Sequence, residues 1–290
     1  LHAWPADIAK YRGKYKIGWD KLRRQRYERQ IKMGLLDAKY KLSPRDERVP
    51  SWESLSESEK DQADLKMAVY AAMVDRMDQG IGRVFAKIKE LGKWDNTLIL
   101  FHADNGGCPE TPDTTPDIPP GPVAGYRALG PPWANASNAP YRKYKSTDYE
   151  GGACTPFIAS WPGVIKPGTI TSQVGHIIDI LPTFMEMTGA VYPKQLKGRK
   201  LKTPVGKSLL PIFKGKQRKG HDVLFWQFSK AKAIRTGKWK LVRLGQADWE
   251  LYDLEKDRTE LNNLAMQYPQ KVKQMIAMWE EWWEKCKSKG

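Results

Sequence analysis

The longest regular pattern of apolar residues in the chain predicts a helix from about residue 58 to 91. The apolar side chains recur at intervals of three and four, at Met67, Val69, Tyr70, Met73, Val74, Met77, Ile81, Val84, Phe85 and Ile88. Ser56 or Ser58 is expected to cap the start of this helix, and Gly92 is expected to end it.

Shorter patterns predict further elements in the first two thirds of the chain. The apolar runs at 97–103 and 156–161 indicate strands, and the first is typical of a buried parallel strand. Helices are predicted at about 8–36 and 179–187. The segment 108–140 is rich in proline, glycine and asparagine, which predicts a long loop of the kind that often shapes a pocket.

The pattern changes near residue 220, where short strand-like segments alternate with turns. These segments are 223–228, 232–235, 239–243 and 249–252. They predict an antiparallel meander with a hairpin turn at Thr236-Gly237-Lys238, and a final helix follows Pro269. The whole pattern predicts an α/β body over residues 1–217 and a small subdomain of sheet and helix over residues 218–290.

Charge and composition narrow the classes of function. The chain has 290 residues and a formal net charge of +16, which attracts polyanions. The densest basic run, at 21–29, lies in a helical pattern and is predicted to be a solvated helix face. The sequence contains no zinc finger, RNP motif or basic zipper, which argues against a nucleic-acid partner.

The sequence offers no sign of a membrane span or of a metal cage built from cysteines. No run of eighteen apolar residues occurs, so no transmembrane helix is expected. No signal peptide is visible, but the chain begins at Leu1, so this says little about location. The three cysteines, Cys108, Cys154 and Cys286, form no C-x-x-C pair.

Candidate chemistry follows the first predicted strand. Asp104 and Asn105 are expected at the carboxyl edge of a sheet, where ligand sites in α/β folds gather. A carboxylate and an amide carbonyl suit a hard cation such as calcium. Asp-Asn-Gly is also a common turn, so the local sequence leaves both interpretations open. Lys145, five residues before Glu150-Gly-Gly, either meets an anion or is an ordinary solvated lysine.

Taken together and in order, these motifs resemble the arylsulfatase family. The resemblance covers nearly the whole chain, including the C-terminal meander. Its pieces are Asp7 to Trp19, Asp104-Asn-Gly-Gly, Asn138-Ala-Pro-Tyr-Arg, Lys145-x-x-x-x-Glu150-Gly-Gly-x-x-Thr-Pro and Gly175-His-Ile-Ile-Asp-Ile-Leu-Pro-Thr183.

The resemblance implies an α/β sandwich like that of alkaline phosphatase and hydrolysis of sulfate esters. It implies that Asp104 and Asn105 bind Ca2+ and that Lys145 contacts the sulfate group of the substrate. It further implies that the substrate is a sulfated small molecule or a sulfated glycan, and that the protein is periplasmic or secreted.

The resemblance also implies a nucleophile that this chain does not contain. The family uses a formylglycine made from the cysteine of a C-x-P-x-R motif. Cys154 is followed by Pro156, but residue 158 is Ile and not Arg, so Cys154 is expected to be a buried structural thiol. The nucleophile is therefore expected upstream, in a missing N-terminal part, and the chain alone is expected to be inactive with an exposed sheet edge or core face.

Two other functions remain open at this point. The +16 charge also suits a non-catalytic protein that binds sulfated polyanions. A phosphoester hydrolase of the same superfamily is the third possibility, although such relatives usually carry several histidine metal ligands and this chain has four histidines without paired spacing.

Overall fold

The structure is a computed structural model that describes residues 1–287. Within that range the helices are α1 Pro5–Ala9, α2 Trp19–Lys32, α3 Glu57–Glu90, α4 Gly130–Ser137, α5 Glu150–Ala153, α6 Ile180–Thr188, α7 Leu210–Phe213 and α8 Pro269–Lys287. The strands are β1 Ile99–His102, β2 Phe157–Ser160, β3 Gln195–Leu196, β4 Arg199–Lys200, β5 Leu224–Phe228, β6 Ala231–Thr236, β7 Trp239–Leu244 and β8 Glu250–Asp253.

The long helix α3 follows its predicted bounds to within a residue. Ser56 and Glu59 form a capping box, in which Ser56 Oγ accepts from the Glu59 N–H at 3.3 Å and Glu59 Oε2 accepts from the Ser56 N–H at 2.8 Å. The helix ends two residues before Gly92. The prediction of this element and of its Ser56 cap is confirmed.

The single helix predicted at 8–36 is wrong, because the structure has α1 and α2 with turns between them. Gly18 adopts φ of 83°, which breaks the helical path directly before Trp19. Trp19 then packs edge-to-face on Trp52 and Trp133, with ring centroids 4.8 and 5.4 Å away. These three rings are the centre of a hydrophobic core beside α2.

The predicted loop at 108–140 contains the helix α4, so that prediction is wrong for residues 130–137. Proline stands in the first turn of α4, where its missing N–H costs no hydrogen bond. Trp133, Ala134 and Ala136 are buried. Burial of this short apolar segment therefore outweighs its unpromising composition.

The strands β1 and β2 pair with each other, as the apolar runs predict. The expectation that the first strand is buried is wrong within residues 1–287. Phe101 is 42% exposed, and on β2 Phe157 and Ile158 are 42% and 59% exposed. The other residues of β1, Ile99, Leu100 and His102, are half-buried, so this sheet, which has two strands among the described residues, is only partly shielded from solvent.

The C-terminal meander is confirmed as a four-stranded sheet in the order β5–β6–β7–β8. β6 and β7 are antiparallel, and Thr236 pairs with Trp239 across the predicted turn. One face of the sheet packs Ala233, Val242 and Tyr252 against Tyr149. The sheet therefore supports the segment that leads into α5.

Residue contacts divide the chain into two compact units. One unit comprises residues 1–87, 102–156 and the part that begins at Phe225, and the other comprises residues 88–101 and 157–224. The predicted domains, 1–217 and 218–290, remain a prediction. The C-terminal sheet belongs to the same unit as Asp104, Asn105 and Lys145. None of the helices formed by residues 1–287 combines the length and apolar character needed to cross a bilayer.

Candidate active site

Asp104 and Asn105 lie just beyond the end of β1, separated from it by Ala103, as the sequence predicts. Asp104 is exposed and Asn105 is half-buried. The Asn105 side chain donates from Nδ2 to the carbonyl oxygen of Gly106 at 2.8 Å, which turns its Oδ1 away from that bond. Among residues 1–287, no hydrogen bond or ion pair occupies this Oδ1 or the Asp104 carboxylate.

The glycines of the two candidate motifs are in direct backbone contact. The Gly106 N–H donates to the Gly152 carbonyl at 3.1 Å. A Cβ on Gly106 would lie 1.8 Å from the carbonyl oxygen of Gly151, and a Cβ on Gly151 would lie 2.0 Å from that of Arg142. The two motifs can meet because Gly106 has no side chain, and the missing side chain of Gly151 allows Arg142 to approach the second motif.

Asn138 connects the same backbones from a third segment. Its Oδ1 accepts from the Gly107 N–H at 2.9 Å, and its Nδ2 donates to the Lys143 carbonyl at 3.0 Å. The Lys145 N–H in turn donates to the Gly107 carbonyl at 3.1 Å. Lys145 is thereby fixed beside the Asp104-Asn105 segment, although about forty residues separate them in sequence.

The backbone on each side of Lys145 is in an unusual conformation. Lys143 and Ser146 have φ of 59° and 69°, in the left-handed region that non-glycine residues rarely adopt. Such positions cost free energy and persist only where surrounding contacts enforce them. Lys143 is held through its carbonyl by Asn138 and through its ammonium by Asp46 at 3.0 Å.

The Lys145 ammonium is paired with Glu110, which no sequence motif marks. Its Nζ lies 3.0 Å from Oε1 of Glu110, and the two side chains are 31% and 52% exposed. The hydrogen bond that Lys145 donates to Glu110 raises the pKa of Lys145, and the charge of Asp104 adds to this effect. The same bond lowers the pKa of Glu110. Glu110 lies in the proline-rich stretch, where the sequence gives no periodic signal for it.

A buried ionic cluster supports α5 from behind. The Lys240 ammonium donates to Glu150 Oε1 at 2.7 Å and lies 3.0 Å from Glu260 Oε1. Glu260 Oε2 accepts the Glu150 N–H at 2.7 Å. All three side chains are buried, and burial raises the pKa of Glu260 to about 7. A lysine on β7 thus ties the Glu-Gly-Gly helix to the C-terminal sheet, which the sequence analysis does not anticipate.

Cys154 lies at the end of α5 beside a cation. The Arg258 guanidinium donates to its Sγ at 3.6 Å. Burial raises the pKa of the thiol, so the thiolate that a cysteine nucleophile needs is disfavoured. Cys154 is half-buried and not fully buried as expected, and its structural role remains a prediction.

The donor set at Asp104 and Asn105 fits calcium in kind but is too small for a complete site. Calcium takes six to eight oxygen ligands, commonly from carboxylates and amide carbonyls. Across residues 1–287, no group of three or more His, Cys, Asp or Glu side chains is arranged to hold a metal. The described chain therefore supplies two donors of suitable chemistry and would need further ligands from elsewhere.

Comparison with known proteins gives consistent matches. The sequence profile of the Sulfatase family matches residues 2–190, and that of N-sulphoglucosamine sulphohydrolase, C-terminal, matches residues 143–288. An uncharacterized sulfatase of Schizosaccharomyces pombe is 34% identical over 95% of this chain and 55% of its own length. An arylsulfatase of Klebsiella aerogenes is 33% identical over 73% of this chain and 48% of its own length.

The chain thus spans about half the length of these curated relatives. Solved structures share its fold. One, BT4656 in complex with its substrate D-glucosamine-2-N,6-O-disulfate, has a TM-score of 0.54 and 21% identity over 78% of this chain and 42% of its own. Another, Ps i-CgsB in complex with k-i-k-neocarrahexaose, has a TM-score of 0.56 and 22% identity over 91% of this chain and 54% of its own.

At these identities the structures establish the fold alone, which is a mixed α/β fold with a C-terminal four-stranded antiparallel sheet and a helix. The family follows from the Sulfatase profile, which covers more than half of the chain. The chain belongs to the sulfatase family.

Proposed function

We propose that this chain forms the sulfate-binding part of an active site that hydrolyses sulfate esters. The observation that carries the proposal is the hydrogen bond from the Lys145 N–H to the Gly107 carbonyl, which ties a lysine to the Asp104-Asn105 segment. A cation beside a carboxylate and an amide oxygen suits a ligand that is itself an anion and is contacted by a metal ion.

In this proposal Lys145 binds an oxygen of the sulfate group. A lysine ammonium is protonated at neutral pH and therefore carries the positive charge that this contact needs. Negative charge gathers on the sulfate oxygens as the S–O bond breaks, and a fixed ammonium stabilises that charge. The Lys145 ammonium forms an ion pair with the Glu110 carboxylate in this structure. The sulfate group must therefore displace that carboxylate to contact Lys145.

Asp104 and Asn105 would hold the metal through a carboxylate oxygen and Oδ1. A bound Ca2+ would act as a Lewis acid on the sulfate oxygens. The fixed backbone of this segment orients both side chains, since the Gly106–Gly152 and Gly107–Asn138 hydrogen bonds follow them immediately.

The nucleophile in this proposal comes from outside these 290 residues, which contain no C-x-P-x-R motif. We expect a formylglycine-forming segment encoded upstream of Leu1, and we expect the chain alone to be inactive. For the substrate we propose a sulfated carbohydrate, supported by the net charge of +16 and by the sulfated sugar bound to a protein of the same fold. The periplasmic or secreted location stays a prediction from the family resemblance.

Two measurements test these statements. Titration of the purified chain with inorganic sulfate should show binding that is lost in Lys145→Ala and kept in Lys41→Ala, which removes an exposed lysine that is not part of the candidate site. Unchanged binding in Lys145→Ala would contradict the role of Lys145. Hydrolysis of p-nitrophenyl sulfate by the chain should stay at the buffer rate, and calcium-dependent turnover would contradict the external nucleophile.

A further inference from the structure

The chain contains an uninterrupted basic segment that the candidate active site does not use. Between Glu186 and Asp222 there are ten lysines and arginines and no aspartate or glutamate. Five of these cations fall within nine residues, at Lys194, Lys197, Arg199, Lys200 and Lys202. We call residues 194–202 the basic hairpin.

The backbone of the basic hairpin is regular. β3 and β4 pair antiparallel with Leu196 opposite Arg199, and the Leu201 N–H donates to the Lys194 carbonyl at 2.9 Å. Lys197 and Gly198 have φ of 49° and 77°, which is the conformation of a two-residue hairpin turn. The cations are therefore displayed on an ordered element with a defined register.

All five cations are exposed, and none is neutralised by the protein. Among residues 1–287, no aspartate or glutamate forms an ion pair with any of them. The basic run on α2 differs, because part of it serves the protein itself. There Arg23 donates to the Ser43 carbonyl at 2.8 Å, and Arg26 donates to the Ser137 carbonyl at 3.0 Å.

The arrangement of the cations favours an extended polymer as the ligand. Strand alternation directs Lys194 and Arg199 to one face of the hairpin and Lys200 and Lys202 to the other, with Lys197 at the tip. A flexible chain of anions can follow cations around the hairpin, whereas a flat membrane would meet one face. The segment 193–202 also has no aromatic residue, which single-stranded nucleic acids need for base stacking.

We propose that the basic hairpin is a binding site for a sulfated polysaccharide, built from residues other than those of the candidate active site. The choice of sulfate over other polymeric anions rests on the proposed function. The site would hold the polymer through several exposed ion pairs, each of which is weak alone. Binding would therefore depend on the number of lysines and on ionic strength.

Binding of fluorescent dextran sulfate to the whole chain at 0.15 M NaCl tests this proposal. The variant Lys194→Gln/Lys200→Gln/Lys202→Gln should weaken binding roughly tenfold, since each exposed ion pair changes affinity about twofold to fivefold. The control Lys21→Gln/Arg24→Gln/Arg29→Gln removes the same charge from exposed positions on α2 and should stay within about twofold of wild type. Equal losses in the two variants would overturn the hairpin as a site.

Other probes decide the class of ligand. Unsulfated dextran should not bind, and carboxymethyl dextran should bind more weakly than dextran sulfate. Tighter binding to phosphatidylserine vesicles or to an oligothymidine would overturn the choice of polysaccharide. Inorganic sulfate separates the two proposals, because its binding should be lost in Lys145→Ala and kept in the triple hairpin variant, whereas dextran sulfate binding should be weakened by the triple hairpin variant. Hairpin-dependent polymer binding without any effect of Lys145→Ala on inorganic sulfate would refute the proposed function and leave this inference standing.

Discussion

Asp148 is a buried carboxyl group, and one of its oxygens has no hydrogen-bond partner among the described residues. It lies between Lys145 and Glu150, is 5% exposed, and its Oδ2 is buried without a hydrogen bond among the described residues. Burial raises the pKa of Asp148 to about 6, and attraction to the Lys240 ammonium only partly opposes this. A carboxylate at this position therefore costs stability at neutral pH.

The sign and size of this cost follow from the displaced pKa. The pKa rises from its usual 3.8 to about 6, so the folded protein holds a proton that the unfolded chain has released in this range. Stability from this group is thus lost as pH rises from about 4 to 7 and is constant above. One pKa unit corresponds to about 1.4 kcal/mol, so the raised pKa lowers the free energy of unfolding by about 3 kcal/mol when Asp148 is fully ionised.

The variant Asp148→Asn removes this titration and leaves an amide of similar shape. A buried amide without partners costs about 1 to 2 kcal/mol, so the variant should be about 1 to 2 kcal/mol more stable than wild type at pH 7.5 and slightly less stable at pH 4. The stability difference between the variant and the wild type should therefore change sign between pH 4 and pH 7.5. It can be measured from urea unfolding midpoints, followed by tryptophan fluorescence, at both pH values.

The exposed Asp248 provides a matched control, because Asp248→Asn should give the same small difference at both pH values. A stability difference for Asp148→Asn that does not change between pH 4 and 7.5 would refute the reasoning. It would mean that Asp148 finds a partner or remains solvated in the folded protein.

Three further predictions concern the same region. Glu110→Gln should raise the affinity of the chain for inorganic sulfate about twofold to fivefold, because sulfate no longer competes with a carboxylate for Lys145, and the gain should vanish below the lowered pKa of Glu110. Lys240→Met should lower the free energy of unfolding by about 3 to 5 kcal/mol, since two buried carboxylates lose their cation, and unchanged unfolding midpoints would contradict this. Gly106→Ala should abolish sulfate binding because its Cβ would meet the Gly151 carbonyl at 1.8 Å, and retained binding would show that the backbone contact is dispensable.

Elements with a strong local signal could be predicted from the sequence. The helix α3 has a regular apolar pattern and a capping box, and the turn between β6 and β7 has the glycine that it requires. The helix α4 could not be predicted, because its formation depends on burying Trp133 against Trp19, more than a hundred residues earlier. The break at Gly18 was equally hidden within a run of helix-forming residues.

Some residues of the candidate site could likewise be predicted from the sequence, and others could not. Asp104, Asn105 and Lys145 could be singled out because their motifs resemble those of a known family, and their roles remain predictions. Glu110 and Lys240 could not be found, since each acts through a side chain distant in sequence. Nothing in the local sequence distinguishes Lys240 from the many solvated lysines of this chain.

Lys240 and Lys145 differ in how deeply they are buried and in how easily each could exchange its partner. Lys240 is 1% exposed and lies between two buried carboxylates, so removing it from them would leave charges unpaired in the interior. Lys145 has a fixed backbone, an accessible ammonium and one carboxylate partner that is itself 52% exposed. Exchange of Glu110 for another anion would cost little, because water can solvate the released carboxylate. A lysine that recognises an anion must hold its position and be able to change its partner, and Lys145 satisfies both conditions whereas Lys240 satisfies only the first.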